Sequence, residues 1–183
     1  MKCSPLLCAL MGLAAPLAHA HISLEQVSAQ AGTYQKLTFR VGHGCAGSAT
    51  RGITVLLPEG VAGAKPMPKA GWTIATVEGA LKAPLMVHGV AVSRAVREVN
   101  WQGGPLADAQ YDEFSLQIKV PDATGKYYFK VSQVCEQGSA HWNEAPGAPG
   151  AVMQFPAPCS MWCRPPARRT STESAEPVAP WHL

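Results

Sequence analysis

Apolar and polar residues alternate along several short runs of this chain, and this period of two is the feature that most limits its fold. The clearest run is 111–120, in which Phe114, Leu116 and Ile118 alternate with polar residues, and 34–41 repeats the pattern. Such alternation places the apolar side chains on one face of a half-buried β-strand. Because no stretch shows a sustained helical period, we predict an all-β protein.

Further strands are predicted where shorter apolar runs are bounded by turn residues such as Gly, Pro and Asp. They lie at 22–28, 53–57, 72–78, 86–92, 97–102, 127–135, 140–144 and 151–155. Residues 59–71 are rich in Pro, Gly and Lys and are predicted to form a long connection. Many short strands separated by regular turns favour an antiparallel β-sandwich.

The first 20 residues, 1–20, have the pattern of a secretory signal peptide. A single charged residue, Lys2, precedes an apolar run over 6–17, and the triplet Ala-His-Ala precedes the predicted cut before His21. The apolar run is too short to cross a bilayer as a helix. We therefore expect a periplasmic or secreted protein with no membrane span in the mature chain.

The charge of the chain argues against a nucleic-acid partner. Its formal net charge of +3 is weak for a protein of this length. The sequence also contains no basic block interleaved with aromatic residues. We therefore expect no binding of nucleic acid.

The composition changes near residue 156. Residues 157–183 are rich in Pro, Ser, Thr and Ala and show no alternation, so we predict a disordered tail that follows a domain over 21–156. Within this tail, Cys159 and Cys163 flank Met161. This spacing is open to two interpretations, a site for Cu(I) or a small disulfide.

Cleavage before His21 would create a new group of metal ligands. The free α-amine and the imidazole Nδ1 of an N-terminal histidine can bind one metal ion in a chelate ring, and imidazole suits copper, zinc, nickel and iron. The alternative is that cleavage merely happens to leave a histidine.

The order of the strands predicts which residues meet. If consecutive strands mostly run antiparallel, the strand that begins at residue 22 and those that end near 41 and 135 share one end of the sandwich. Seven residues with metal-binding or redox chemistry are then gathered at that end: His21, His43, Cys45, Glu113, Cys135, His141 and Trp142.

Cys45 and Cys135 are the natural disulfide partners in this group. Both follow strands, and disulfides persist in exported domains. The bridge would close a loop of about 90 residues, which is worth roughly 4 kcal/mol in the chain-entropy model. The rival interpretation is a pair of thiolate ligands for Cu(I).

Three other members of the group each have a structural alternative to a metal-site role. His43 fits a surface loop, Glu113 fits a solvated strand position, and Trp142 fits packing in the core or at its rim. Trp72 and Trp101 are interpreted as packing residues alone.

Several ordered motifs resemble those of the YcnI-like proteins, a family of exported bacterial domains often found with copper-handling proteins. The motifs are HISLEQVSAQAGTYQKLTFRV, GHGC, KPMPKAGW, EVNWQGG, YDEF and CEQGSAHWNEAP. They span about 21–158. The resemblance implies an immunoglobulin-like or cupredoxin-like β-sandwich that binds Cu(II).

The resemblance also implies site residues. The copper would be held by a single N-terminal histidine brace, here His21, with Trp142 as the tryptophan near the metal. Glu113 in YDEF is the best match to the family carboxylate. The loop GHGC departs from members with an acidic residue there, so His43 is a candidate to replace or supplement that ligand.

The sequence is compatible with three functions. The first is an exported copper protein that stores, buffers or delivers copper to copper-handling partner proteins of the periplasm. The second is a small copper-dependent redox enzyme of the lytic-monooxygenase kind, for which this chain is short and poor in aromatic residues. The third is a structural sandwich with an incidental N-terminal histidine.

Overall fold

The computed structural model describes residues 21–147 and 153–164, and all regular secondary structure in these ranges is β-strand. The predicted all-β class is therefore confirmed. The strands, in chain order, are β1 (Ser23–Leu24), β2 (Ser28–Gln30), β3 (Tyr34–Val41), β4 (Thr50–Leu56), β5 (Ala62–Pro66), β6 (Trp72–Val87), β7 (Val90–Leu106), β8 (Asp112–Lys119), β9 (Gly125–Tyr128), β10 (Lys130–Cys135), β11 (Ser139–Trp142) and β12 (Cys159–Cys163).

The strands form three sheets. A four-stranded sheet has the order β1-β3-β8-β5, and a five-stranded sheet has the order β11-β10-β4-β7-β6. A small third sheet has the order β2-β12-β9. Neighbouring strands are antiparallel except β12 and β2, which run parallel. The arrangement agrees with the predicted antiparallel sandwich.

The core lies between the alternating apolar faces of the two larger sheets. Phe39 and Phe114 on the four-stranded sheet are fully buried, as is Trp101 on the five-stranded sheet. Trp101 meets Phe114 edge to face at 5.7 Å between ring centroids. Trp72 meets the same ring at 4.9 Å. The strands with the clearest alternation in the sequence thus supply the centre of the core, and Trp72 and Trp101 are packing residues as expected.

The longest hairpin differs from the sequence prediction. Three strands were expected at 72–78, 86–92 and 97–102, but the structure forms two long strands, β6 and β7, joined at His88 and Gly89. Both turn residues have positive φ, 50° and 78°. That backbone suits a two-residue hairpin turn whose twist matches the flanking strands. Residues 79–85 lie between two of the predicted strands, but β6 continues through them with a shift in register between Ala80 and Leu85.

Two other segments also differ from the prediction. Residues 59–71 contain β5, which pairs with β8 at the edge of the four-stranded sheet, so they are not simply a connection. The strand predicted near 151–155 is not formed by 153–155, and its remaining residues lie outside the described ranges.

The predicted boundary of the disordered tail at residue 157 is wrong. Strand β12 pairs with β2 on one side and β9 on the other, so the folded domain extends through Cys163. Trp162 is 1% exposed. It stacks on Tyr127 at 3.6 Å and meets Phe129 at 6.2 Å. Burial of this tryptophan, together with pairing on both edges of the strand, favours the ordering of a segment whose surrounding composition suggested disorder. Residues 165–183 of the predicted tail lie outside the described residues, as does the predicted signal peptide 1–20.

None of the described segments is a helix that could cross a membrane.

Trp162→Ala is expected to lower the free energy of unfolding by about 3–5 kcal/mol, because it leaves a cavity between the third sheet and the core. Urea unfolding followed by circular dichroism measures the change. Met161→Ala, on the exposed face of the same strand, is the matched control and should cost about 1 kcal/mol or less. Equal effects of the two substitutions would show that β12 does not pack on the sandwich.

Candidate metal centre

His21 packs against Trp142 where the edges of the two larger sheets meet. His21 is exposed and lies two residues before the first residue of β1, the edge strand of the four-stranded sheet. Trp142 lies in β11, the edge strand of the five-stranded sheet. Their ring centroids are 5.6 Å apart and the planes are tilted by 51°. The structure therefore brings together these two predicted site residues, which are distant in the sequence.

Trp142 is held rigidly beneath the histidine. Its side chain is 3% exposed and meets Phe155 edge to face at 5.2 Å. Its indole N–H is buried and has no hydrogen-bond partner among the described residues. An unpaired buried donor usually costs about 1–3 kcal/mol. Phe155 was not expected from the sequence, because its segment carries no signal beyond weak apolar character.

The loop that carries His43 is fixed by several hydrogen bonds. The His43 carbonyl accepts a hydrogen bond from Gln133 Nε2 at 2.7 Å. The Gly44 N–H donates to Asp108 Oδ1 at 2.9 Å. A Cβ atom on Gly44 would lie 1.7 Å from the carbonyl oxygen of Ser48, so this position requires glycine. Neither Gln133 nor Asp108 belongs to a motif that marks it in the sequence as a support of this loop.

The imidazole of His43 is oriented by its own chain. Its Nδ1 contacts the carbonyl oxygen of Gly44. A carbonyl oxygen only accepts, so this contact favours the tautomer with the proton on Nδ1. His43 is half-buried and lines the adjoining cleft.

The predicted disulfide between Cys45 and Cys135 is confirmed, and it ties the His43 loop to β10. The Cα atoms are 5.9 Å apart. Because the cysteines are bridged, the rival interpretation of two thiolate ligands is wrong for this pair. Backbone hydrogen bonds between Cys45 and Ser48, both 3.0 Å, close the loop beside the bridge.

A cleft of about 300 Å³ lies beside this group. Its walls include His43, Cys45, Ala140, Trp142 and Phe155. The same tryptophan thus contacts His21 and forms one wall of the cleft that holds His43. This is the part of the predicted site that the fold assembles.

Glu113 lies away from the contact between His21 and Trp142. Its carboxylate accepts hydrogen bonds from Arg40 Nη2 at 3.0 Å and Arg40 Nε at 3.3 Å. The pairing of Glu113, and secondarily its charge, raises the pKa of the Arg40 guanidinium. Ser23, Arg40 and Glu113 lie in one row across β1, β3 and β8. Two strand spacings of about 4.8 Å therefore separate Glu113 from the backbone of β1. The expected carboxylate ligand faces an arginine and is not brought to the His21–Trp142 contact.

His141 also lies apart from the group of residues that was predicted to meet. It alternates with buried Trp142 along β11 and is exposed, with its Nδ1 3.1 Å from Ser132 Oγ. Across the residues that the structure describes, no three His, Cys, Asp or Glu side chains lie close enough to hold a metal ion.

The fold and this edge contact define an immunoglobulin-like β-sandwich in which an exposed histidine before the first strand packs on a buried tryptophan. The chain belongs to the family described as a domain of unknown function, DUF1775, whose model matches residues 21–160.

One solved structure supports the immunoglobulin-like fold. An uncharacterized protein from Nocardia farcinica with an immunoglobulin-like fold is 26% identical, with a TM-score of 0.61, and the match covers 78% of this chain and 97% of that one. A Corynebacterium diphtheriae protein, described provisionally as membrane anchored, is 10% identical with a TM-score of 0.42, and the match covers 80% of this chain and 34% of that one. No curated protein matches the sequence.

Replacing Cys45 and Cys135 together with alanine is expected to lower the free energy of unfolding by about 4 kcal/mol, because the unfolded chain regains the entropy of a long open loop. Urea unfolding under non-reducing conditions measures the loss. Cys163→Ala removes an exposed thiol and serves as the control, with an expected change within about 0.5 kcal/mol. A stability loss no greater than that of the control would mean that the bridge contributes nothing.

Proposed function

We propose that this protein is an exported Cu(II)-binding protein that stores, buffers or delivers copper, and that His21 holds the metal through its amino group and imidazole. The observation that carries the proposal is the packing of the exposed His21 ring on buried Trp142 at the junction of the two sheet edges. A ring held in this way has lost much of its freedom before a metal arrives.

The donor set fits copper once the chain is cut before His21. Cleavage would convert the backbone amide nitrogen of His21 into a primary amine, which binds metal once it loses its proton. Amine and imidazole nitrogens from one residue would then form a chelate, and such donors suit Cu(II), which leads the divalent affinity order. In this proposal one residue supplies two donors, so a cluster of three ligand side chains is not required.

The neighbouring residues have supporting roles in this proposal. Trp142 provides a rigid apolar wall that orients the imidazole. His43 is the candidate for an additional ligand, because it lines the cleft that Trp142 shares. The pairing of Glu113 with Arg40 argues against a role for its carboxylate unless that ion pair opens.

Measurement of oxygen consumption distinguishes the enzyme alternative from the proposed copper-binding protein. A lytic-monooxygenase-like enzyme loaded with copper and given a reductant would consume oxygen and release peroxide, whereas a storage or delivery protein would not do so above the rate of free copper. No feature of the described surface favours the enzyme.

Acetylation of the His21 amino group is expected to weaken Cu(II) binding by at least about 10–100-fold, the loss that removal of even an outer-shell partner of a metal causes, because the blocked nitrogen leaves the chelate ring while the imidazole stays. Binding is measured by competition with a chelator of known affinity, on protein whose N-terminus is verified by mass spectrometry. Affinity of the native N-terminus should rise with pH through about 7.7–8.0, where an α-amine loses its proton. Zn(II) should bind more weakly than Cu(II).

His21→Ala and His88→Ala form the matched pair for this experiment. His88 is an exposed histidine at the tip of the β6–β7 hairpin, so its substitution should leave Cu(II) affinity unchanged. His21→Ala should be at least as damaging as acetylation. If the acetylated protein binds Cu(II) as tightly as the native one, the brace is wrong.

Copper-dependent quenching of fluorescence is expected to arise mainly from Trp142, because paramagnetic Cu(II) quenches nearby indoles. Trp142→Phe should remove most of the quenching seen on titration with Cu(II). Trp72→Phe is the control, since Trp72 packs on Phe114 inside the sandwich. Unchanged quenching in Trp142→Phe would place the metal away from this edge.

A further inference from the structure

The outer face of β12 carries three sulfur atoms in a row. Ser160 and Trp162 are fully buried, whereas Cys159 is half-buried and Met161 and Cys163 are exposed. Residues 159, 161 and 163 therefore point to the same side of the third sheet. Both cysteines are free thiols.

The strand geometry excludes a disulfide between these cysteines. Four residues of β-strand span about 13 Å, whereas bridged cysteines need Cα atoms within about 7 Å. The small disulfide that the sequence spacing allowed is therefore wrong. For the same reason both thiols cannot bind one metal ion, since two metal–sulfur bonds of about 2.3 Å join sulfurs no more than about 4.6 Å apart.

Met161 lies within reach of either thiol. Alternate residues of a strand are about 6.6 Å apart, and the methionine side chain is long, unbranched and flexible. Its side chain is 37% exposed, so it can turn toward Cys159 or Cys163 without displacing a packed neighbour. Each Cys–Met step, meaning Met161 paired with either Cys159 or Cys163, thus offers two sulfur donors.

The neighbours of this row favour a soft cation over a hard one. The facing positions on β9 are Tyr128 opposite Cys159 and Lys126 opposite Met161. Those on β2 are Ser28 opposite Met161 and Gln30 opposite Cys163. These four neighbours include no carboxylate, which Ca²⁺ or Mg²⁺ would require, whereas thiolate and thioether sulfur select Cu(I).

We propose that the outer face of β12 binds one Cu(I) ion between the thioether of Met161 and the thiolate of either Cys159 or Cys163. The ion binds as the thiol releases its proton, and Met161 is common to both arrangements. This site is separate from the His21 edge and does not rest on the proposed Cu(II) function. It would give the protein a second site, selective for the reduced form of the metal.

Because Met161 belongs to both arrangements, substitutions at the methionine and at the cysteines should affect Cu(I) binding differently. Met161→Leu, which preserves side-chain volume, should weaken Cu(I) binding by more than about 100-fold, as should the double substitution Cys159→Ser/Cys163→Ser. Either single cysteine substitution leaves one Cys–Met step intact and should weaken binding less than about tenfold. Met86→Leu alters an exposed methionine of β6 and should have no effect.

The test uses reduced protein under anaerobic conditions, with its N-terminus verified at His21. Cu(I) is titrated in competition with a chromogenic Cu(I) chelator, and melting temperatures confirm that each variant folds. As a second readout, Ag(I) should slow alkylation of Cys159 and Cys163 in the native protein but not in Met161→Leu, which retains both thiols. His21→Ala should bind Cu(I) normally, so failure of the brace and failure of this site are distinguishable.

Several results would overturn the proposal. They are one Cu(I) bound as tightly by Met161→Leu as by the native protein, two Cu(I) ions held by the separate thiols, and no competition with the chelator at all. Dimers in which one Cu(I) ion joins Cys163 of two copies would instead mark this face as a contact between two copies of the chain.

Discussion

The contact of Phe114 with Trp72 and Trp101 is the interaction on which the rest of this structure depends. Phe114 lies on the four-stranded sheet, and both tryptophans lie on the five-stranded sheet, so the three rings fix how the sheets face each other. Because the sheets are held in this way, their edge strands β1 and β11 come together at one side. The His21–Trp142 contact exists only because of that placement.

The candidate metal edge combines a rigid support with an exposed ligand. The disulfide and the hydrogen bonds from Gln133 and Asp108 fix the loop of His43, while Phe155 packs on Trp142. These contacts order the surrounding residues when the domain folds. Little further conformational entropy would therefore be lost when a metal binds. In the proposed function, His21 is the one group whose chemistry changes after folding, when cleavage frees its amine.

The two proposed sites differ in donor chemistry as well as in position. Nitrogen donors at His21 suit Cu(II), whereas the sulfur row on β12 suits Cu(I). They lie on different sheets, and no described residue belongs to both. A protein with both sites would be able to hold copper in either oxidation state.

Local patterns were sufficient to predict the fold class and part of the site. Alternation in β3 and β8 determined which residues enter the core, because a strand exposes its two faces to different surroundings. The parity of antiparallel strands was enough to pair Cys45 with Cys135 and to bring Trp142 to the end of the molecule that holds His21. These results depend on the order of strands and not on how they pack.

Only the tertiary structure decided the remaining features. Glu113 and His141 share a strand end with the site but face away from it, since parity determines the end of a strand and not the direction of a neighbouring side chain. Trp162 orders β12 against Tyr127 and Phe129, a long-range packing gain that composition cannot register. The same packing places Cys159, Met161 and Cys163 on one face of the strand. The sequence spacing allowed either a disulfide or a Cu(I) site, and the strand geometry leaves only the two Cys–Met pairs.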